Sequence, residues 1–156
     1  MVFRHSNALV PSVGDDSDRP IDGEESEGDR NRFLLVGIGA SAGGLEAYTQ
    51  LLRPLPANTG MAIVLVQHLD PSHSSLLSEI LARTLQMPVH EVRDGMAIAP
   101  NCVYVIPPNT CLSLSGNMLR LKPRQKIRGK NMPIDIFFQS LASEWGKNAI
   151  AIVLSG

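Results

Sequence analysis

The sequence predicts an α/β fold with three layers, in which helices cover both faces of a mainly parallel, doubly wound sheet that carries an antiparallel β-hairpin excursion. Three observations lead to this prediction. Short apolar runs end in glycine or polar residues, which is typical of strands buried on both faces. These runs alternate with segments of helical periodicity, which favours parallel strands joined by crossover helices. Gly116-Asn117 separates two short extended segments and predicts a hairpin turn.

The composition indicates one globular domain and argues against several classes of partner. A chain of 156 residues, 44% of them hydrophobic, suits a single domain. Its net charge of −1 provides no basic field, so we expect neither nucleic acid nor an anionic membrane surface as a partner. No apolar run reaches the roughly 20 residues of a membrane span, and no signal-peptide pattern is present, so we expect a cytoplasmic protein without membrane insertion. Cys102 and Cys111 have apolar surroundings, which indicates reduced thiols.

The chain divides at about residue 31. Residues 1–31 are acidic, polar and nearly free of aromatic side chains, so they cannot bury enough apolar surface to offset the entropy of ordering. We therefore predict a disordered acidic tail over residues 1–31 and a folded domain over residues 32–156.

The first half of the domain alternates strands with helices. A strand begins at Phe33 with FLLVGI, and a second covers Met61–Gln67. Pro54 ends the first helix because proline cannot donate the helical hydrogen bond, and Ser72 is the predicted N-cap of the second helix. The apolar positions of these helices are Leu45, Tyr48, Leu51 and Leu52 in the first, and Leu76, Leu77, Ile80, Leu81 and Leu85 in the second.

The second half begins with short extended segments, which we interpret together as the antiparallel excursion; they cover residues 88–92, 102–106, 111–115 and 118–121. Residues 122–131 hold five cations and no anion, as in a solvated surface loop or, alternatively, a binding segment. A helix starting at Pro133 and a final strand over residues 149–154 complete the chain. The predicted apolar face of that helix consists of Phe137, Phe138, Leu141 and Trp145.

The segment GIGASAGGLEA, residues 37–47, places glycines where a strand ends and a helix starts, so we expect positive φ angles and close backbone approach there. Amides at such a helix N-terminus bind anions. If the anion is a pyrophosphate, the glycines form a variant dinucleotide fingerprint with unusual spacing. If it is a tetrahedral oxyanion, Ser41 is a nucleophile and the amide of Ala42 or Gly43 stabilises the charge. A third interpretation is that Ser41 only caps the helix.

His68 is the candidate base for Ser41. It directly follows the strand over Met61–Gln67, at the edge where parallel α/β sheets gather their ligands, so two strand ends could bring the two side chains together. The alternative is a histidine whose hydrogen bonds are satisfied by loop carbonyls. The remaining histidines are predicted to be surface residues; they are His5, His73 and His90.

Three segments with their spacing resemble the catalytic domain of CheB-type chemotaxis methylesterases from about residue 33 to residue 156: GIGASAGGLEA, VLVQHLDPSHSSLL and EVRDGMAIAPNCVYVIPP. The resemblance implies hydrolysis of glutamate γ-methyl esters on cytoplasmic chemoreceptor helices, with deamidation of receptor glutamines as a related activity. It implies Ser41 as nucleophile and His68 as general base, with no cofactor and no metal.

The resemblance also implies that part of the catalytic machinery lies beyond the chain end. In the family, the third catalytic residue is an aspartate that follows a strand ending in a Ser-Gly or Thr-Gly pair, and here Ser155-Gly156 ends the chain. Asp70, Asp94 and Asp135 are not convincing substitutes. We therefore expect the N-terminal two thirds of the domain, with the C-terminal part of the sheet missing and the final strand exposing an edge and an apolar face.

Two functional alternatives stay open. A catalytically impaired fragment could act as a receptor-binding or partner-binding module. A nucleotide-binding module is less favoured because Gln67 and His68 stand where an acidic residue would follow the second strand. Residues 129–142 resemble the version of the domain fused to receptor methyltransferase and sensor modules, which are therefore expected partners. The tail lacks the elements of the phosphorelay receiver domain that stand-alone members carry.

Overall fold

The structure, a computed structural model, describes residues 33–41, 44–67, 74–124 and 133–154, without the side chains of residues 74 and 75. All of them belong to one compact unit. Several predictions concern residues outside these ranges: the acidic tail, the cap at Ser72, the histidines at positions 5 and 73, and most of the basic segment that follows residue 124.

The described residues form eight strands and three α-helices. The strands are β1 Leu34–Ala40, β2 Met61–Gln67, β3 Val89–Glu91, β4 Met96–Ala97, β5 Val103–Val105, β6 Thr110–Ser115, β7 Met118–Pro123 and β8 Ala149–Leu154. The helices are α1 Gly44–Leu52, α2 Ser74–Thr84 and α3 Pro133–Trp145, the last followed by a 3-10 turn at Gly146–Asn148.

The sheet topology confirms the predicted α/β class. A parallel five-stranded sheet has the order β3-β5-β2-β1-β8, and a separate antiparallel sheet has the order β4-β7-β6. One face of the parallel sheet packs on α1 and α2, with Ile38 and Leu65 against Tyr48 and Leu81 in one cluster. The other face packs on α3 and the small sheet, and its cluster includes Leu35, Val64, Phe137, Leu141 and Leu112.

The prediction that all the short extended segments belong to the antiparallel excursion was wrong for two of them. β5 pairs in parallel with β2, with Ile63 opposite Val103, and β3 pairs in parallel with β5. Strands of three residues have no pattern in sequence that reveals their direction; the crossover through α2 leads from β2 to β3, and β5 pairs between these two strands. The hairpin of β6 and β7 is confirmed, with Gly116 at a φ of 58° in its turn, and β4 joins it as a strand that was not predicted.

The helices bury a narrower face than their sequences predict. Tyr48 and Leu52 are buried on α1, whereas Leu51 is exposed. On α2 the leucines at 77 and 81 are buried, but Leu76 and Ile80 are exposed. Each helix touches the sheet along one stripe, so apolar residues at the margin of the predicted stripe face solvent.

Gly37 and Gly39 lie within β1 and not in the turn, which corrects their predicted place. No described glycine of residues 37–47 has positive φ. A Cβ atom at Gly37 would lie 2.8 Å from atoms of both Leu141 and Phe137, and one at Gly39 would lie 2.6 Å from Ile134. Glycine is needed at both positions because α3 crosses β1 too closely for a side chain.

The final strand has the predicted bounds and, as expected, exposed apolar surface. β8 pairs with β1 only, among the described residues. Val153 is 70% exposed and Ile150 is 40% exposed.

Cys102 and Cys111 are half-buried free thiols. Within the described ranges, no helix has the length and apolar character to span a membrane.

Candidate active site

The candidate site lies where three neighbouring strands end. Ala40, the last residue of β1, pairs with Gln67 at the end of β2 and with Leu154 at the end of β8. Ser41 and His68 therefore directly follow paired residues on strands that lie about 4.8 Å apart. The register confirms that the two strand ends meet at one edge. His68 itself lies outside the described residues.

Ser41 is exposed and stands in the short connection between β1 and α1. The Gly44 amide donates a hydrogen bond to the Ser41 main-chain oxygen over 3.1 Å, which closes the entry to the helix. Among the described residues, the Ser41 hydroxyl forms no hydrogen bond. The Gly44 amide thus donates to the main-chain oxygen of Ser41, whereas a serine that caps a helix accepts such an amide with its side-chain hydroxyl. The predicted oxyanion donors, Ala42 and Gly43, fall outside the described ranges.

Gln67 is a residue of the site that the sequence analysis missed. Its Nε2 donates a hydrogen bond to the Ser41 main-chain oxygen over 3.2 Å. Its Oε1 is buried and accepts no hydrogen bond within the described part of the chain. The signal in the sequence was weak: a single polar residue at the end of an apolar strand, directly before His68. Its side chain nevertheless joins the end of β2 to the Ser41 connection.

Tyr48 anchors α1 beneath the same edge. Its buried hydroxyl donates a hydrogen bond to the Val66 main-chain oxygen over 3.1 Å. Burial raises the pKa of this hydroxyl far above its ordinary value, and a hydrogen bond with the backbone of Ala40 acts in the opposite direction to a smaller extent. The phenol therefore stays neutral and links the helix to β2. From its spacing in the sequence, Tyr48 is predicted only as an apolar position of α1.

Gly44 allows α1 to begin close to the sheet. A Cβ atom at this position would lie 2.9 Å from the Ala40 Cβ and 3.1 Å from the Gln67 Nε2. The predicted close approach of another backbone is therefore not what requires glycine at position 44; side chains of Ala40 and Gln67 fill the space instead. The first turn of α1 consequently lies directly against the ends of β1 and β2.

The described aspartates have structural contacts elsewhere. Asp94 accepts a hydrogen bond from the Leu121 amide over 2.9 Å and lies 3.6 Å from Arg120, so it belongs to the small sheet. Asp135 is exposed in the first turn of α3, where a negative charge complements the helix dipole. Asp70 is outside the described residues. Neither described aspartate has the contacts of a partner for a catalytic histidine.

His90 is exposed on β3, as the sequence predicts, with its ring 5.8 Å from that of Tyr104. β3 is the far strand of the sheet, separated from β1 by β5 and β2. His90 is therefore not part of the candidate site. The described side chains include no cluster of three His, Cys, Asp or Glu residues that could hold a metal ion.

The described geometry suits nucleophilic chemistry at an anion-binding edge. An exposed alcohol follows a buried strand, and a helix begins three residues later. Unpaired amides at a helix N-terminus stabilise negative charge, which is what develops on the oxygen of an ester carbonyl under attack. The arrangement fits acyl transfer through Ser41.

Comparison with known proteins gives a consistent result. A family model described as CheB methylesterase matches residues 36–156. The chain is 38% identical over 129 residues to protein-glutamate methylesterase/protein-glutamine glutaminase 2 of Burkholderia lata, covering 82% of this chain and 38% of the relative. It is 36% identical over 128 residues to protein-glutamate methylesterase/protein-glutamine glutaminase 3 of Pseudomonas aeruginosa. That match covers 80% of this chain and 38% of the relative. The chain thus spans little more than a third of the length of these relatives.

A solved structure supports the same fold. The crystal structure of the Thermotoga maritima CheB methylesterase catalytic domain superimposes with a TM-score of 0.70 at 26% sequence identity. The match covers 80% of this chain and 68% of that one. The resemblance identified in the sequence is therefore confirmed.

Proposed function

The chain belongs to the CheB methylesterase family, and on that premise we propose that it is a serine hydrolase domain that removes methyl groups from glutamate γ-methyl esters of chemoreceptors. The observation that carries the proposal is the pairing of Ala40 with Gln67, since Ser41 and His68 follow these two residues. The exposure of Ser41 supports its role as the nucleophile.

The proposed reaction has two steps. His68 takes the proton from the Ser41 hydroxyl, whose oxygen attacks the ester carbonyl. When the tetrahedral intermediate collapses, His68 gives this proton to the leaving methoxide oxygen, so that methanol departs, His68 is neutral again and an acyl-enzyme remains. Water, deprotonated by His68, then attacks the acyl carbon and releases the glutamate. The amides of Ala42 and Gly43 are proposed to stabilise the oxyanion, and one such donor contributes about 3 to 4 kcal/mol in serine hydrolases. No step requires a cofactor or metal.

The same site would deamidate glutamine side chains. An amide carbonyl forms the same acyl-enzyme when ammonia leaves in place of methanol. The matched relatives carry both activities in their names, protein-glutamate methylesterase and protein-glutamine glutaminase. We propose deamidation as the second activity and methylated chemoreceptor helices as the substrate, with receptor methyltransferase and sensor modules as further partners.

The proposed catalytic aspartate follows β8. Leu154 pairs with Ala40, so β8 ends at the same edge of the sheet as β1, and the residues after β8 start from that edge. An aspartate there would orient the His68 ring, and in the worked serine-protease example the loss of this group lowers turnover by about 10⁴.

The alternatives have less support. A nucleotide-binding module needs flexible glycines around a phosphate, but Gly37 and Gly39 are strand residues packed against α3. A binding module without catalytic activity would need no nucleophile, and it makes a different prediction from the hydrolase in the following experiment.

The experiment measures methanol release from methylated chemoreceptor by the chain and by its Ser41→Ala variant. Ser115→Ala is a matched control because Ser115 is also exposed at a strand end but lies in the small sheet. We expect the control to release methanol at the rate of the unaltered chain and Ser41→Ala to release none above background. Equal rates for all three would contradict the hydrolase and favour the binding module.

A further inference from the structure

We propose that Gln67 is a positioning residue that holds the connection containing Ser41 against the end of β2; this inference rests on the proposed role of Ser41 as nucleophile. Gln67 directly precedes His68 in the chain, and its own side chain reaches Ser41. One residue therefore links the main chains of the two proposed catalytic residues.

The link fixes the Ser41 carbonyl from two sides. The oxygen accepts a hydrogen bond from the Gly44 amide of α1 over 3.1 Å and another from the Gln67 Nε2 of β2 over 3.2 Å. A carbonyl with two donors in different directions cannot rotate without losing one of them. Because strand pairing holds Ala40 on one side of Ser41, fixing the Ser41 carbonyl on the other side limits rotation about ψ of Ser41 and so restrains the direction of its Cα–Cβ bond.

Packing holds the Gln67 amide in place. The space beside it is so narrow that a Cβ atom at Gly44 would lie 3.1 Å from its Nε2 and 3.2 Å from its Cδ. Its Oε1 is buried and has no hydrogen-bond partner among the described residues. The close packing beside Gly44 and the hydrogen bond from Nε2 to the Ser41 main-chain oxygen therefore act together to fix the amide.

Positioning of this kind matters for the reaction because the alcohol must meet both the base and the ester carbon. A displacement of 1 Å in such a site can lower the rate by about 100-fold. Without the Gln67 donor, the direct link from Ser41 to β2 is lost, and the described contacts that remain on either side of it are the strand pairing that ends at Ala40 and the Tyr48 hydrogen bond from α1 to Val66. We therefore expect the loss of Nε2 to slow the acylation of Ser41 more than it lowers the stability of the fold.

The test compares Gln67→Met and Gln67→Glu in the full chain. Methionine keeps the length of the side chain without the donor, and glutamate keeps its shape and polarity but replaces the donor with an acceptor. Gln50→Met is the matched control, because the amide of Gln50 bonds only the exposed Glu46 on α1. Two quantities are measured: the rate at which a fluorophosphonate labels Ser41, and the hydrogen exchange rate of the Gly44 amide.

We expect both Gln67 variants to label Ser41 at least about 10-fold more slowly than Gln50→Met, and their Gly44 amides to exchange faster. Their thermal midpoints should stay close to that of the control. Labelling and exchange equal to the control would overturn the inference. Labelling of Gln67→Glu at the rate of the control would also overturn the inference, because the shape of the side chain would then position Ser41 without the donor. If the unaltered chain is not labelled at all, the proposed function fails, and the exchange of Gly44 alone decides whether Gln67 holds the connection.

Discussion

β1 and β8 are neighbouring parallel strands of similar apolar character with opposite environments. They pair in register from Leu35 opposite Ala149 to Ala40 opposite Leu154. Every residue of β1 after Leu34 is buried, whereas no residue of β8 is. The difference shows that apolar character alone does not bury a strand in this sheet, because a layer must also pack against it.

The covering layers explain the contrast. α3 lies directly on one face of β1, close enough to require Gly37 and Gly39, while the α1 residues Tyr48 and Leu52 pack in the cluster on its other face. β8 touches these layers only in part, and Val153 faces solvent. The candidate nucleophile thus follows a strand that is buried from Leu35 to its end, and a rigid strand end keeps a catalytic group in place.

The largest expected effect comes from truncating a side chain in the layer over β1. Leu141 on α3 is buried, so Leu141→Ala should lower the free energy of unfolding by about 2–5 kcal/mol through lost transfer energy and a cavity. The control, Val153→Ala on β8, should change it by less than about 0.5 kcal/mol. Urea denaturation measures both. Similar losses for the two variants would show that β8 is covered as well as β1.

A smaller effect is expected from adding atoms at paired positions of the two strands. Gly37→Ala would place a methyl group 2.8 Å from Leu141 and Phe137, so we expect a loss of about 1–3 kcal/mol. Ala151 is the exposed partner of Gly37 in the register, and Ala151→Val should leave the stability nearly unchanged although it adds more atoms. Thermal and chemical denaturation of both variants would check this. A stable Gly37→Ala variant would mean that α3 does not lie on β1 as described.

The smallest effect concerns the hydroxyl beneath the site. Tyr48→Phe removes one buried hydrogen bond and should lower the free energy of unfolding by about 0.5–1.5 kcal/mol at neutral pH. Because burial raises the pKa of Tyr48 in the fold, the unfolded chain loses this proton first, and stability falls as the pH rises above about 10.

Tyr48→Phe should lack the part of the alkaline loss of stability that comes from Tyr48. For a single group this part is at most about 1.4 kcal/mol per pH unit. Tyr104 is the internal comparison, since burial raises its pKa as well and its contribution stays in the variant. Denaturation curves at pH 8 to 11 measure the slope. If the free energy of unfolding falls with pH at the same slope in both proteins, a group other than Tyr48 causes the alkaline loss of stability.

The sequence predicted the elements whose pattern is long enough to be unambiguous. The bounds of β2 and β8 were correct, and so was the hairpin at Gly116, because a buried run or a turn dipeptide carries its own signal. The direction of β3 and β5 could not be predicted, since strands of three residues owe their pairing to the rest of the sheet.

The exposure of Leu76 and the packing of Gly37 also depend on contacts between elements that are distant in sequence. Two features of the candidate site could be predicted from the order of strands and helices: the place of Ser41 after a strand, and the meeting of two strand ends at one edge. The role of Gln67 did not, because its hydrogen bond spans 26 residues of chain and depends on the register of β1 and β2.

The most direct test of the account is the site of covalent labelling by a fluorophosphonate, mapped by mass spectrometry in the full chain and in its His68→Ala variant. We predict a single adduct on Ser41 that forms much more slowly in the variant. An adduct on another serine, or labelling of Ser41 that does not depend on His68, would contradict the proposal that these two strand ends form one catalytic site.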